Sequence, residues 1–429
     1  MNMILKGNIC YSKNPTEFEI SEGGYLVCLK GASKGVFHEI PEEYSSFPVI
    51  DYGGCVIIPG LCDLHVHAPQ YAFRGLGMDM ELLDWLENYT FPEESKYVEI
   101  DYANRAYNIF TEALKRGATT RACVFATLHS PATVLLMEKL ERTGLVTLVG
   151  KVNMDRNCPD ILRSKSAEAA YKATRAWILS TKDRFKNTSP ILTPRFIPAC
   201  SDELMTMLGN LQKEFKLPVQ SHLSENKGEI AWVRELCPEA ATYADAYNGF
   251  GLFGGAGVPT IMAHCVWTEG GEDDLIKENG VYVAHCPQSN MNLSSGIAPV
   301  RRFLNKGIRV GLGSDVAGGC HTSIFRAMSD AIQVSKLYWR HIDQNDAPLS
   351  VEEAFYLGTA GGGSFFGKTG SFAEGYEFDA VVIDDSGAPS SNPLNLKERL
   401  ARIIYLSDEN CVRAKYVRGK KIDLGVTGR

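Results

Sequence analysis

Val56-Ile57-Ile58-Pro59-Gly60-Leu61-Cys62-Asp63-Leu64-His65-Val66-His67 carries an apolar run into two histidines one residue apart. Side chains alternate faces along a strand, so residues i and i+2 share a face. A strand over Leu61–His67 therefore aims two imidazoles at one point. Neutral imidazole is the commonest protein ligand for a borderline metal such as zinc. The plain alternative is a strand that merely ends in polar residues, and the rest of the chain decides between the two.

Apolar strand-like runs recur at 119–126, 145–152, 191–198, 219–223, 260–266, 281–286 and 310–314. With the first they make eight. Helical stretches at 102–116, 166–182 and Asp202–Phe215 separate several of them. This alternation predicts an α/β chain whose residues 58–370 form a parallel (β/α)8 barrel, the catalytic unit. Near-continuous apolar runs suit parallel strands buried on both faces. Residues 1–57 and 371–429 hold shorter alternating segments broken by Gly, Pro and Ser. They read as one small β-sandwich domain built from both chain termini.

In such a barrel the reactive side chains come from the carboxyl ends of strands. Five of the nine histidines fall there: His65, His67, His222, His264 and His285. So does Asp315, in Gly311-Leu312-Gly313-Ser314-Asp315. Any one of them alone is readily a core group. Together they are explained by a convergent metal site with far less coincidence.

Catalytic zinc takes nitrogen or oxygen ligands and keeps one position open. His65, His67, His222 and Asp315 supply three imidazoles and a carboxylate. Closure would bring the first and eighth strands together, and Asp315 with them. Glu225, three residues after His222, is placed to move protons as general acid/base. Asp315 is also a candidate acceptor of the water proton. His264 either polarises the developing centre or serves as a fourth nitrogen ligand, and spacing does not separate these. His285 is read as shaping the rim, with a structural hydrogen bond as the alternative. The fourth strand ends in neither Lys nor Glu, which favours one metal. Lys151 is the remaining candidate for bridging two.

Composition narrows the classes. Net charge is −7 with no basic block, which argues against a nucleic-acid surface. Twelve cysteines include no CxxC pair, which fits buried thiols in the cytoplasm rather than a disulfide frame. No segment approaches the roughly 18 apolar residues of a membrane helix. The zinc deaminases with HxE and PCxxC signatures are excluded, because neither motif is present.

HxH on the first strand, HxxE on the fifth, His on the sixth and Ser-Asp on the eighth resemble the amidohydrolase superfamily. A narrower likeness follows in His67-Ala68-Pro69-Gln70-Tyr71-Ala72-Phe73-Arg74-Gly75, in 82–93, and in Pro194-Arg195-Phe196. These stretches resemble guanine deaminases of the amidohydrolase type. The resemblance implies metal ligands at His65, His67, His222 and Asp315, and a proton-handling pair at Glu225 and His264. It implies guanine contacts at Gln70, Arg195 and Phe196. The activity implied is hydrolytic, zinc-dependent deamination of guanine to xanthine and ammonia, as in purine catabolism or salvage. A homodimer is implied by resemblance alone.

The pocket chemistry agrees. Phe196 or Trp85 can cover a purine face. Arg195 can donate to a purine carbonyl, and the Gln70 amide can match a ring N–H and N pair. Trp85 also suits an ordinary helix core. Imidazole-rich ligation would take iron or cobalt as well as zinc. Two rivals stand beside this reading: an amidohydrolase acting on another aminopurine, a cytosine-like ring or a triazine, and a non-catalytic barrel scaffold.

Overall fold

The computed structural model describes residues 1–255, 257–407 and 411–425. The fold is mixed α/β. Four strands open the chain: β1 (Asn2–Asn14), β2 (Glu17–Leu29), β3 (Ala32–Phe37) and β4 (Val49–Pro59). Ten follow in the middle: β5 (Leu61–His67), β6 (Thr119–Phe125), β7 (Val146–Gly150), β8 (Val152–Asn153), β9 (Thr188–Pro190), β10 (Thr193–Pro194), β11 (Val219–Leu223), β12 (Thr260–His264), β13 (Tyr282–His285) and β14 (Arg309–Leu312). The end contributes β15 (Ala380–Ile383), β16 (Val412–Val417) and β17 (Lys420–Lys421).

Eight of the middle strands form two parallel sheets, ordered β5-β6-β7-β9 and β11-β12-β13-β14, and the short β8 and β10 make a further parallel pair. Backbone hydrogen bonds tie the two sheets together at both ends. On one side the Leu192 N–H donates to Pro218 O (2.9 Å) and the Gln220 N–H donates to Leu192 O (3.0 Å). On the other, the Asp315 N–H donates to His65 O (2.8 Å) and the His67 N–H to Val316 O (3.1 Å). Every residue of β5, β6, β11, β12 and β13 is buried, the polar ones included, as in parallel strands covered on both faces.

Outside the strands, helices begin where the sequence supplies caps. Ser166 Oγ accepts from the Ala169 N–H to start Ala167–Thr181, and Ser201 Oγ accepts from Leu204 to start Asp202–Phe215. The fourth strand departs from expectation. Pairing with β7 falls on Thr188–Pro190, and only Thr193–Pro194 of the expected 191–198 run is strand. Pro190, Pro194 and Pro198 have no N–H to give a ladder, so the strand breaks.

The chain termini join in one seven-stranded ladder ordered β17-β16-β15-β4-β1-β2-β3, which bends so that β1 and β2 share a buried core with β15 and β16. The reason is the pairing of β4 with both β1 and β15, which makes one continuous ladder from N-terminal to C-terminal strands. A buried ion pair fastens this sheet to the middle strands. The Arg121 guanidinium on β6 donates from Nε to Asp379 Oδ2 (2.6 Å) and from NH2 to Glu377 Oε2 (2.8 Å). Removing one partner of a buried pair leaves an uncompensated charge. Arg121→Met is therefore expected to lower unfolding free energy by about 3–5 kcal/mol, read from urea melts. A loss under about 1 kcal/mol would mean the pair contributes little to holding the sheet.

Candidate active site

Strand ends place the reactive groups. β5 closes on His65 and His67, β11 carries His222, β12 closes on His264, and Glu225 and Asp315 lie just beyond β11 and β14. The backbone turns sharply at these points. Ser224 (φ 47°), His264 (φ 73°), Cys265 (φ 49°) and Asp315 (φ 45°) all take left-handed conformations without being glycine. Such residues cost on the order of 1–3 kcal/mol each and persist where packing and function demand them. Gly313 lets β14 come close: a Cβ there would lie 2.8 Å from both His65 Cβ and Cys286 Sγ.

Four ring nitrogens and a carboxylate meet. His67 Nε2 lies 3.1 Å from His65 Nε2, 3.3 Å from His222 Nε2 and 3.4 Å from Asp315 Oδ1. Asp315 Oδ1 is 3.2 Å from His65 Nε2, and Oδ2 is 3.7 Å from His264 Nε2. The His222 Nδ1–H donates to the Arg195 carbonyl (2.6 Å), so a neutral ring turns its Nε2 lone pair inward. His65, His67 and Asp315 form one group able to hold a cation, and His65, His222 and His264 another.

Electrostatics keep the imidazoles in ligand form. Burial pushes His67 and His222 well below the usual histidine range, and neighbouring imidazoles add to it. Burial also lowers His65, against the pull of Asp315. For Asp315 burial acts upward, but His65, His264 and His67 outweigh it and hold the carboxyl below its ordinary value. His264 goes the other way: burial lowers it, while Glu225 and Asp315 raise it further.

Glu225 is buried beside His264, with Oε2 3.3 Å from Nε2. Burial pushes its carboxyl up to about 7, Glu229 and Asp315 adding to the rise, while His264 and a hydrogen bond from Ser295 Oγ (3.0 Å) oppose it. A carboxyl that titrates near neutrality can both give and take a proton. Across the ring, His264 Nδ1 is held 2.9 Å from Asn290 Oδ1.

One cavity gathers these groups. His67, His222, Glu225, His264 and Asp315 line it together with Gln70, Arg195, Phe196 and Trp85. Arg195 and Gln70 are buried and both bonded to Glu94. Trp85 lines the wall while its indole N–H donates to Leu76 O (3.2 Å), so it serves as packing and as cavity surface at once. The residues read from the sequence as ligands, proton carriers and substrate contacts all lie at this cavity or in its imidazole cluster.

Two side readings do not reach it. His285 is buried, and neither ring nitrogen has a hydrogen-bond partner among the described residues. It lies off the cavity wall, so it neither shapes the rim nor makes the alternative hydrogen bond. Lys151 is buried with Nζ 3.4 Å from Val152 O and Thr174 Oγ1, away from the imidazoles. Sequence reasoning missed Glu94, which directly follows the quoted stretch 82–93, and also Asn290 and Ser295. It also missed Asp63, which accepts from the Ser314 Oγ–H (2.6 Å) and N–H and from the His65 N–H. Its position two before His65, on the same face, was the available signal.

Residues 56–422 match the amidohydrolase family. The chain is 41% identical over 386 residues to the guanine deaminase of Dictyostelium discoideum, covering 87% of this chain and 84% of that one. It is 34% identical over 397 residues to the guanine deaminase of Escherichia coli, covering 90% and 86%. The crystal structure of a guanine deaminase from C. acetobutylicum with guanine bound in its active site superposes with a TM-score of 0.95 at 47% identity, covering 98% of this chain and all of that one. The convergent strand ends and these likenesses agree: the chain belongs to the amidohydrolase family, among relatives that are guanine deaminases.

Proposed function

We propose that this chain is a zinc-dependent hydrolase acting on the C–N bond of a cyclic amidine. Its reaction is removal of the exocyclic amine of guanine, giving xanthine and ammonia. One observation carries the reading. Gln70, Arg195 and Phe196, suited to a purine's edge and face, line the same cavity as the imidazole cluster and Glu225. The names of the relatives and the guanine in the C. acetobutylicum structure support it.

The donor set fits a metal. Two ligands on a tetrahedral zinc with bonds of about 2.0–2.1 Å lie about 3.3–3.4 Å apart. The separations among His65, His67, His222 and Asp315 run from 3.1 to 3.4 Å where contacts exist. A single proton could serve only one of those contacts, whereas a cation serves all. His65, His67, His222 and Asp315 would hold the ion; iron would suit the same donors. When bound, it supplies a water acidified toward neutrality and poised for attack on C2.

The remaining steps belong to side chains. Glu225 gives its proton to a ring nitrogen of guanine, takes the proton of the new C2 hydroxyl and hands it to the departing amine, which leaves as ammonia; the proton that Asp315 takes from the water then returns to Glu225 and restores the starting state. Asp315 accepts the proton released by the water. His264, steadied by Asn290, faces the charge that develops at the tetrahedral carbon. Arg195 donates to the purine carbonyl, Gln70 matches the ring edge, and Phe196 with Trp85 covers the base.

Ammonia release from guanine, adenine, 2-aminopurine, cytosine and an aminotriazine, at fixed enzyme concentration, tests the reading. Guanine is expected to exceed every other substrate by at least about 10²-fold in kcat/KM, since a buried polar match rejects analogues lacking the partner group. Preference for another ring would transfer the site to that substrate. Inertness of the metal-loaded chain toward all five would favour the scaffold.

The same reading extends to organisation. The two ties between the parallel sheets support a closed (β/α)8 barrel over residues 58–370. The shared terminal sheet supports a second unit from residues 1–57 and 371–429. Buried thiols such as Cys62, Cys123, Cys265 and Cys286 support a cytoplasmic setting. Among the described residues, no helix is long and apolar enough to cross a membrane. Exposed Leu337, Trp339 and Ile342, at the end of the helix Ile324–His341, support a homodimer, which sedimentation velocity would test.

A further inference from the structure

We infer that Glu94 is the positioning residue that decides how this pocket reads the oxo edge of its substrate, an inference that rests on the reading of the cavity as a guanine site. Glu94 sits in the short helix Phe91–Ser95, is 3% exposed, and is not part of the cavity wall. Its carboxylate nonetheless takes three hydrogen bonds from the two residues best suited to a purine edge. Arg195 donates from NH1 to Oε2 (2.6 Å) and from NH2 to Oε1 (3.2 Å), and Gln70 donates from Nε2 to Oε1 (3.0 Å).

The consequence for Arg195 is geometric. Two of its five N–H donors are committed to a fixed carboxylate, so the plane of the guanidinium is fixed. The remaining donors face only the directions that plane allows, and the cation has its charge balanced without leaving the cavity wall. The Phe91 ring, 5.3 Å from the guanidinium carbon, supports the same pose from its own turn of helix.

For Gln70 the consequence is chemical. An amide can turn its oxygen and nitrogen ends over with little change of shape. Here Nε2 faces the Glu94 carboxylate, which can only accept, and Oε1 accepts from the Ala317 N–H (3.2 Å). The reversed amide would set a donor against a donor and an acceptor against an acceptor. Glu94 and Ala317 therefore leave Gln70 one N–H and one lone pair in known places. Glu94 touches no substrate; it acts through two residues at once.

Glu94→Gln keeps shape and removes the charge. It is expected to raise KM for guanine by about 10- to 100-fold, since hydrogen bonds to charged groups are among the stronger ones. The inhibition constant of 2-aminopurine, which lacks the oxo group, is expected to rise about tenfold less than the KM for guanine, because it shares the Gln70 contact but never used the fixed Arg195 donor. The loss is thus a collapse of discrimination, which damage to the fold would not produce selectively. Glu94→Asp keeps the charge balanced against Arg195 and so guards against misfolding; it is expected to lose discrimination by about 3- to 10-fold. Equal weakening toward both ligands, or unchanged discrimination in a folded variant, would overturn the role of Glu94. Absence of guanine turnover by the unaltered chain would instead overturn the reading beneath it.

Discussion

Glu225→Gln is expected to cut ammonia release from guanine by about 10²–10⁴-fold in kcat, the range for losing a positioned acid/base. The substitution keeps the length and the hydrogen bond from Ser295, so the melting temperature should move little. What it removes is the proton. Burial raises the Glu225 carboxyl to about 7, so near neutrality it exists in both forms. The step that needs its acid form is served below that value and fails as pH rises through it. The kcat/KM profile should therefore fall on the alkaline side near pH 7, and that limb should vanish in the variant. A variant that keeps more than a tenth of the activity, or an unchanged alkaline limb, would move the acid role to another group. His264, 3.3 Å away, is the first alternative.

Metal removal should be as severe. Exhaustive chelation of the purified chain is expected to lower guanine turnover by at least about 10³-fold, and zinc should restore it, since metal ions supply several kcal/mol of stabilisation. Elemental analysis should find one ion per chain. His222→Ala should lose that ion, because the ring has one nitrogen on the Arg195 carbonyl and the other in the cluster. Lys151→Met should keep it, since the Lys151 amine lies with Thr174 and the backbone. Two ions per chain, with one lost in the Lys151 variant, would establish a bridged pair instead. Full activity after complete metal removal would refute the assignment of the cluster. Protein stability offers a second readout: an ion that binds only the folded chain should raise the melting temperature.

Much of this was legible along the chain. β11 and the helix Asp202–Phe215 fall on the expected residues, because their apolar periods and caps are local properties. The fourth strand was misplaced because three prolines strip it of ladder donors, a penalty that hydrophobicity does not register. The terminal strands were expected to fold together, and pairing partners far apart in sequence joined them in one ladder that bends around a shared core. At the site, HxH, HxxE and Ser-Asp are short-range patterns on strand ends, so they could be read before any contact was known. Glu94 could not. Its bonds to Arg195 span 101 residues, and nothing in Phe91-Pro92-Glu93-Glu94 distinguishes it from the glutamate beside it. His285 shows the opposite error, since its place at a strand end suggested a role that its lack of partners does not support.

By itself, then, the order of residues determined the strand-and-helix alternation and the kinds of ligand available, because alternation of side chains and capping depend on near neighbours. Tertiary structure alone decided which nitrogen faces which oxygen, which carboxyl is pushed to neutrality and which is held down, and which buried glutamate bonds to both Arg195 and Gln70. Those outcomes depend on burial and on charges a few ångströms away in space, and such neighbours arrive from distant parts of the chain only once it has folded.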